Sequence, residues 1–223
     1  MNKTTSIFDI IGPVIIGPSS SHTAGAVRLG LMAKKIYKQK PQKINIVLYN
    51  SFAKTGKGHG TDKGLLAGIL GLETDNSDIK NAYKLAKENG LDFYFEYKDD
   101  FSRHPNSVDI IFKEPFPLII QGESTGGGEI CISSINGYKT DIKGDYYTLV
   151  LIYKDKPGMV YKVSKCIQKE NVNIASLYCD RTTKGEEASM CICLDSALSS
   201  PVIKELEELE EMYLFRNVEA LKK

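Results

Sequence analysis

Two short stretches of this chain hold residues of the kind that do chemistry. The first is Gly17-Pro18-Ser19-Ser20-Ser21-His22-Thr23-Ala24-Gly25, four hydroxyls and an imidazole in five positions. Leu29, Met32, Ala33, Ile36 and Tyr37 follow at i, i+3, i+4, i+7, i+8 spacing, which predicts a helix over 21–38 with the hydroxyls at its start. Unpaired backbone N–H groups and the positive end of the helix dipole meet there, a setting for a small carboxylate or phosphate. A serine in this place can also act only as an N-cap, which uses one hydroxyl and leaves the others, and the imidazole, without a task.

The second stretch runs Ser51-Phe52-Ala53-Lys54-Thr55-Gly56-Lys57-Gly58-His59-Gly60-Thr61-Asp62-Lys63-Gly64. A phosphate loop needs a glycine five residues before the Gly-Lys pair, where Ser51 stands, and Ser or Thr after it, where Gly58 stands. A dinucleotide fingerprint beginning at Gly56 needs a glycine where Thr61 stands. What remains reads as a flexible loop carrying Lys54, Thr55, Lys57, His59, Thr61 and Asp62. Its lysines can hold a carboxylate, and Asp62 can orient or tune an imidazole three residues away. His59 is thus a candidate general base, against the plainer reading of an exposed loop histidine. A metal site from His22, His59 and Asp62 is disfavoured: the chain holds three histidines and no i, i+4 pair of them. Ser21 and His22 are disfavoured as nucleophile and base, since neighbours seldom aim at each other and no G-x-S-x-G surrounds them.

The elements that must position these stretches fall into two grammars. A first strand or extended entry is predicted over 6–16, a strand over 44–49 and a small-residue helix from 65 to 70. A helix capped by Ser77 and stopped by Gly90 follows, then strands at 93–97, 108–112, 118–121 and 129–135. His104-Pro105-Asn106-Ser107 is a turn, Gly126-Gly127-Gly128 a flexible break, and 136–145 a linker. From 147 the order becomes strand, helix, strand, strand, helix, strand, with Ser200-Pro201 opening the last helix, which is the ferredoxin-like arrangement. The Asp-x-Pro-Gly turn at 155–158 makes this part resemble an ACT domain, which binds a small amino acid or serves only to dimerise or rigidify.

At 223 residues, 42% apolar and 26% charged, the composition is that of a soluble globular protein of one large or two modest domains. A net charge of +1 gives no field for nucleic acid or a membrane surface, and neither is expected as a partner. No apolar run reaches membrane-spanning length, and no leader pattern opens the chain. The cysteines, Cys131, Cys166, Cys179, Cys191 and Cys193, are odd in number and lack C-x-x-C spacing. That predicts a reduced, cytoplasmic protein and argues against a zinc or iron–sulfur site built by this chain alone.

The opening Ser6-Ile7-Phe8-Asp9-Ile10-Ile11-Gly12-Pro13-Val14-Ile15-Ile16-Gly17-Pro18-Ser19-Ser20-Ser21-His22-Thr23 closely resembles that of the iron–sulfur-dependent L-serine dehydratases. So do Lys-Thr-Gly-Lys-Gly-His-Gly-Thr-Asp at 54–62, the His104–Ser107 turn and Gly126-Gly127-Gly128-Glu129-Ile130. With the ACT-like end, the likeness covers nearly the whole chain and is that of the beta subunit of the two-chain form. The resemblance implies an α/β, α+β fold: a serine-dehydratase beta-chain domain over 1–140, similar to allosteric substrate-binding domains, then a βαββαβ ACT domain over 146–223. It implies dehydration of L-serine to pyruvate and ammonia, with a [4Fe-4S] cluster on a separate alpha subunit and self-association through the ACT part. By the family pattern His59 is the base with His22 beside the substrate, the reverse assignment staying open. Ser19, Ser20, Ser21 and Thr23 hold the carboxylate, Lys57, Thr61 and Asp62 stand with the substrate, and His104 and Asn106 lie in the effector region. Two other readings remain: a stand-alone amino-acid sensor without chemistry, and the regulatory tail of a phosphoglycerate dehydrogenase, which the missing dinucleotide domain opposes.

Overall fold

The structure, a computed structural model, describes residues 16–222, so the strand or entry expected over 6–16 lies, but for Ile16, outside the described residues. The chain divides into two units at the Asn136–Gly137 step.

The first unit is built on a mixed sheet whose strands run in the order β2-β1-β3-β4-β5. They are β1 (Lys43–Tyr49), β2 (Asp92–Lys98), β3 (Ser107–Glu114), β4 (Leu118–Gly126) and β5 (Glu129–Ile135). β1 pairs parallel with β2 and antiparallel with β3, setting Ile46 between Phe95 and Ile110. Five successive residues of β1, Ile44 to Leu48, are buried, as a strand covered on both faces requires. Against this sheet stand helices α1 (Gly25–Tyr37), α2 (Asn50–His59), α3 (Thr61–Leu70) and α4 (Ala82–Glu88). Tyr37 closes the end of α1: it stacks on Phe112 at 4.0 Å and on Phe116 at 4.4 Å. Its hydroxyl donates to the Phe116 carbonyl at 2.9 Å and accepts the Phe116 N–H at 3.2 Å, so the buried polar atom is satisfied.

Helices α1 and α3 touch backbone to backbone. A Cβ on Gly30 would stand closer than 3.0 Å to the Leu65 carbonyl oxygen, and one on Gly68 equally close to that of Val27. Further along, a Cβ on Gly64 would reach the Thr23 carbonyl at 3.0 Å. Residue numbers rise together along both helices at these contacts, so the two run in the same direction and their N-termini lie at the same end. Leu29, Met32, Ile36, Leu65, Leu66 and Ile69, all fully buried, fill the flanks of the crossing.

The stretch 51–64, expected as a flexible loop, is instead α2, a single left-handed residue, Gly60 (φ 69°), and the start of α3. Each glycine inside α2 costs about 1 kcal/mol of helix propensity. Phe52 is wholly buried, which returns up to about 3 kcal/mol and fixes the helix against the core. Other boundaries also move. Asn76, not Ser77, caps the next turn by accepting the Asp78 N–H at 2.8 Å; a 3₁₀ turn then precedes α4. β4 continues past 121 to Gly126, and that glycine with Gly127 and Gly128, all at positive φ, makes the tight β4–β5 turn. The expected linker contains a strand, β6 (Tyr138–Ile142).

The second unit holds β7 (Tyr147–Lys154), α5 (Met159–Gln168), β8 (Ile174–Arg181), β9 (Glu187–Leu194), α6 (Ser200–Glu207) and β10 (Met212–Val218). The order β10-β7-β9-β8 is that of a ferredoxin-like sheet, so the chain as a whole is mixed α and β. Leu149, Leu151, Met190 and Ile192 on the sheet pack with Val163, Ile167, Val202 and Leu206 on the helices. α6 ends earlier than its pattern suggested; Ser199 holds the N-cap position without a side-chain capping bond, its hydroxyl donating to Glu170 at 2.5 Å, and Pro201 lies in the first turn. The Asp155 carboxylate closes its turn by accepting the Gly185 N–H at 2.8 Å and an Arg181 N–H at 3.3 Å. Among the described residues no helix is long and apolar enough to cross a membrane.

The helix crossing gives a direct test. Gly68→Ala is expected to destabilise the first unit by roughly 1–3 kcal/mol, because overpacking against a backbone outweighs the propensity gain. A Cβ on Gly58, in exposed α2, would meet nothing within 4 Å, so Gly58→Ala is expected to be neutral or stabilising by up to about 1 kcal/mol. Thermal unfolding followed by circular dichroism separates the two; equal effects would contradict the backbone contact.

Candidate active site

The hydroxyl-rich stretch does not enter its helix directly. Ser19 is extended (φ −146°), and its Oγ caps the turn by accepting the His22 N–H at 3.0 Å. Residues Ser20–Ala24 then wind as one π-helical turn: Ala24 N–H reaches back to the Ser19 carbonyl, and Gly25 N–H to that of Ser20. Such turns are wider than an α-turn and recur at functional sites. The Ser20 and Ser21 N–H groups lie ahead of the first intrahelical donor, where a helix head presents them outward. The heads of α1 and α3 converge at this end, but they are not alike. Asp62 stands in the first turn of α3, whereas no acid stands in the π-turn. The positive end of α3 is therefore already countered, and that of α1 is left for an anion.

Thr23 is buried, and its hydroxyl donates to the His59 carbonyl at 2.9 Å, tying the π-turn to the last residue of α2. The two histidines, 37 residues apart in sequence, thereby meet with ring centroids 5.2 Å apart and planes tilted by 45°. His22 Nε2 lies 3.2 Å from Ser51 Oγ, and its Nδ1 lies 3.5 Å from Ser19 Oγ. Phe52 meets the same ring edge-on at 5.4 Å. Burial holds the His22 pKa below its ordinary value, and a charge on His59 would lower it further, so the ring is neutral at pH 7.

The residues read from the sequence do not all face one way. Ser20 and His59 are exposed, and Ser19, Ser21 and His22 are half-buried around them. Lys57 is exposed on α2, its ammonium 5.4 Å from the centre of the Tyr97 ring. Thr61 and Asp62 turn inward instead, against the expectation that they stand with a substrate. Thr61 is wholly buried, and the Asp62 carboxylate accepts the Lys63 N–H at 2.8 Å and the Tyr83 hydroxyl. Burial and this bond raise the Tyr83 pKa far above its usual range. Asp62 therefore does not orient His59: the left-handed Gly60 starts a new helix, and three residues on no longer means the same face.

His104 and Asn106 stand at the head of α2. His104 Nδ1 accepts the Asn106 N–H at 3.1 Å, and the Pro105 carbonyl accepts the Ser51 N–H at 2.9 Å. Asn106 exchanges bonds with Ser124 of β4, accepting its N–H at 3.0 Å. Two features here escaped the sequence reading. One is Ser51, whose only signal was its place at the opening of the second stretch. The other is the anchor of the 99–106 loop: Arg103 forks onto Asp109 at 2.7 and 3.0 Å while lying 3.9 Å over the Tyr49 ring. Among the described residues, no three His, Cys, Asp or Glu side chains stand together as a metal-ligand set. The second unit has its own cleft of about 370 Å³, lined by Asp155, Lys156, Gly158, Cys179 and Arg181 among others.

Comparison with known proteins matches residues 6–93 to the family described as serine dehydratase beta chain. The chain is 38% identical over 208 residues to the probable L-serine dehydratase, beta chain, of Bacillus subtilis, covering 93% of this chain and 94% of that one. It is 37% identical over 207 residues to the L-serine dehydratase, beta chain, of Peptoniphilus asaccharolyticus, covering 91% and 90%. Among solved structures it is similar to the ACT domain of a GTP pyrophosphokinase of Chlorobium tepidum, with TM-score 0.28 and 13% identity, covering 33% of this chain and 97% of that one.

The paired rings make a titration prediction. His22 should titrate below 6.5 by NMR, and in His59→Gln its pKa should move part of the way back up, since burial, the larger cause, remains. A native pKa lowered in this way gives stability that is present above pH 6.5 and lost as pH falls through the lowered value. An unchanged His22 pKa in His59→Gln would show that the rings are not coupled.

Proposed function

This chain belongs to the L-serine dehydratase beta-chain family, and on that premise we propose that, with a cysteine-bearing alpha subunit, it converts L-serine to pyruvate and ammonia. The observation that carries the reading is the meeting of His22 and His59 at a helix head that has no acid of its own. The substrate carboxylate sits at the Ser20 and Ser21 N–H groups, with the serine hydroxyls around it. His59, exposed at the end of α2, takes the Cα proton. The electron pair of that C–H bond becomes the Cα=Cβ bond as the Cβ–O bond breaks, and the departing hydroxyl takes up a proton, returned by protonated His59 or drawn from solvent, and leaves as water. The resulting aminoacrylate tautomerises to an imine, which water hydrolyses to pyruvate and ammonium. Negative charge spreads from Cα into the carboxylate during proton removal, and donors fixed on that carboxylate lower its cost. Neutral His22 adds no charge that would hinder His59 from accepting a proton.

The described residues offer no ligand set for a [4Fe-4S] cluster, so the reading assigns it to the alpha subunit. His59 lies open to solvent, and the same subunit would close the site against water. Self-association runs through the ACT part: β8 is a sheet edge with Leu177 and Tyr178 exposed, as edge-to-edge pairing needs. The odd cysteine count supports a cytoplasmic setting.

Steady-state pyruvate formation by the anaerobically reconstituted two-chain enzyme tests the reading. His59→Ala should lower kcat by at least about 10²-fold, the scale of a lost general base. Ser20→Ala should act mainly through KM, because its hydroxyl meets ground state and transition state alike. Near-normal turnover of His59→Ala at full cluster content would remove His59 from the mechanism. This chain expressed alone should stay colourless after treatment with iron and sulfide, and a stable iron–sulfur absorbance would contradict the division between subunits.

A further inference from the structure

Ser51 stands in the first turn of α2, two positions past the N-cap residue Tyr49. Here the helix has no side-chain cap, and the hydroxyl faces His22 Nε2 at 3.2 Å. Its place is fixed from three sides. Its own N–H is held by the Pro105 carbonyl at 2.9 Å. The next residue, Phe52, is wholly buried. The residue before it, Asn50, is a non-glycine residue at φ 51°, a conformation held only where the surroundings demand it. They do: Asn50 Oδ1 accepts the Asp100 N–H at 2.8 Å, and Nδ2 donates to the Asp100 carbonyl at 2.6 Å. Ser51 is thus set by the backbone frame and not by the histidine it meets.

The other nitrogen of the ring faces Ser19. That oxygen already accepts the His22 peptide N–H, and its single proton is free to point at Nδ1. A ring nitrogen that accepts from a hydroxyl carries no proton, which puts the ring proton on Nε2, facing Ser51.

We infer that Ser51 is a positioning residue for this site, receiving the Nε2 proton of His22 and so fixing that ring in one tautomer between two hydroxyls. Both ring nitrogens are then engaged within the chain, and His22 has no lone pair to offer a substrate proton. The base role falls to His59. That consequence rests on the dehydratase reading; the tautomer of the ring does not.

The test is a long-range ¹H–¹⁵N correlation spectrum of the full chain above pH 7.5, where His22 is neutral, with the three histidines assigned from single His→Gln variants. Wild type should show His22 protonated at Nε2 and bare at Nδ1. Ser51→Ala should lose that pattern, the two nitrogens moving to exchange-averaged shifts, and Ser51→Thr, which keeps the hydroxyl, should restore it. A wild-type ring protonated at Nδ1 would overturn the inference, as would a Ser51→Ala spectrum like that of wild type. If Ser51→Ala does not fold, Ser51→Gly, which also removes the hydroxyl, takes its place in the comparison. A correct tautomer in a chain that forms no pyruvate with its partner would count against the dehydratase reading alone.

Discussion

The site depends on one contact, the approach of α1 and α3 through Gly30 and Gly68. Two helices that touch through their backbones have little freedom to slide, since each carbonyl lies where the other helix has no side chain. Because they run the same way, the contact also brings their heads together. The π-turn of α1 therefore lies against the start of α3, and the residue just before α3, across Gly60, is His59. The meeting of two histidines far apart in sequence follows from glycines a full helix turn or more away from either ring.

Charge placement follows from the same geometry. Two helix heads at one place would give a strongly positive end, and Asp62 answers only one of them. Its carboxylate is further engaged by Tyr83, so it is held away from the other head. At 5.2 Å, a charge on His59 would add to the cost of a charge on His22, which burial already disfavours. His22 is the more enclosed; His59 faces outward.

The helix head was more legible in the sequence than the frame around it. Hydroxyls before an apolar i, i+4 pattern specify a helix head, and the spacing of Ser19 to Thr23 is local enough to read. The ferredoxin-like order of the second unit was equally plain, because each strand and helix there carries its own periodicity and turn residues. Residues 51–64 were misread for a physical reason: glycine lowers helix propensity wherever it stands, and what overrides it is the burial of Phe52, a tertiary fact. Asp62 was misassigned because a three-residue spacing keeps one face only inside a single helix, and Gly60 ends one. Ser51 was invisible because a serine between a strand and a helix looks the same whether it caps a backbone or meets a ring. The strand or entry expected over 6–16 lies, but for Ile16, outside the described residues, and β6 hid in a segment whose polar composition reads as linker.

The bond from Thr23 to the His59 carbonyl bears on the timing of motion at the site. A ten-residue helix with glycines at 56 and 58 and another just past its end would fray first at its C-terminus. The Thr23 hydroxyl grips that end and is itself held by the wide turn to which it belongs. The last turn of α2 and the π-turn are thus tied together, and on the proposed reading the base and the carboxylate cradle share this one anchor. A ligand that tightens the cradle would steady the helix end with it through the same bond.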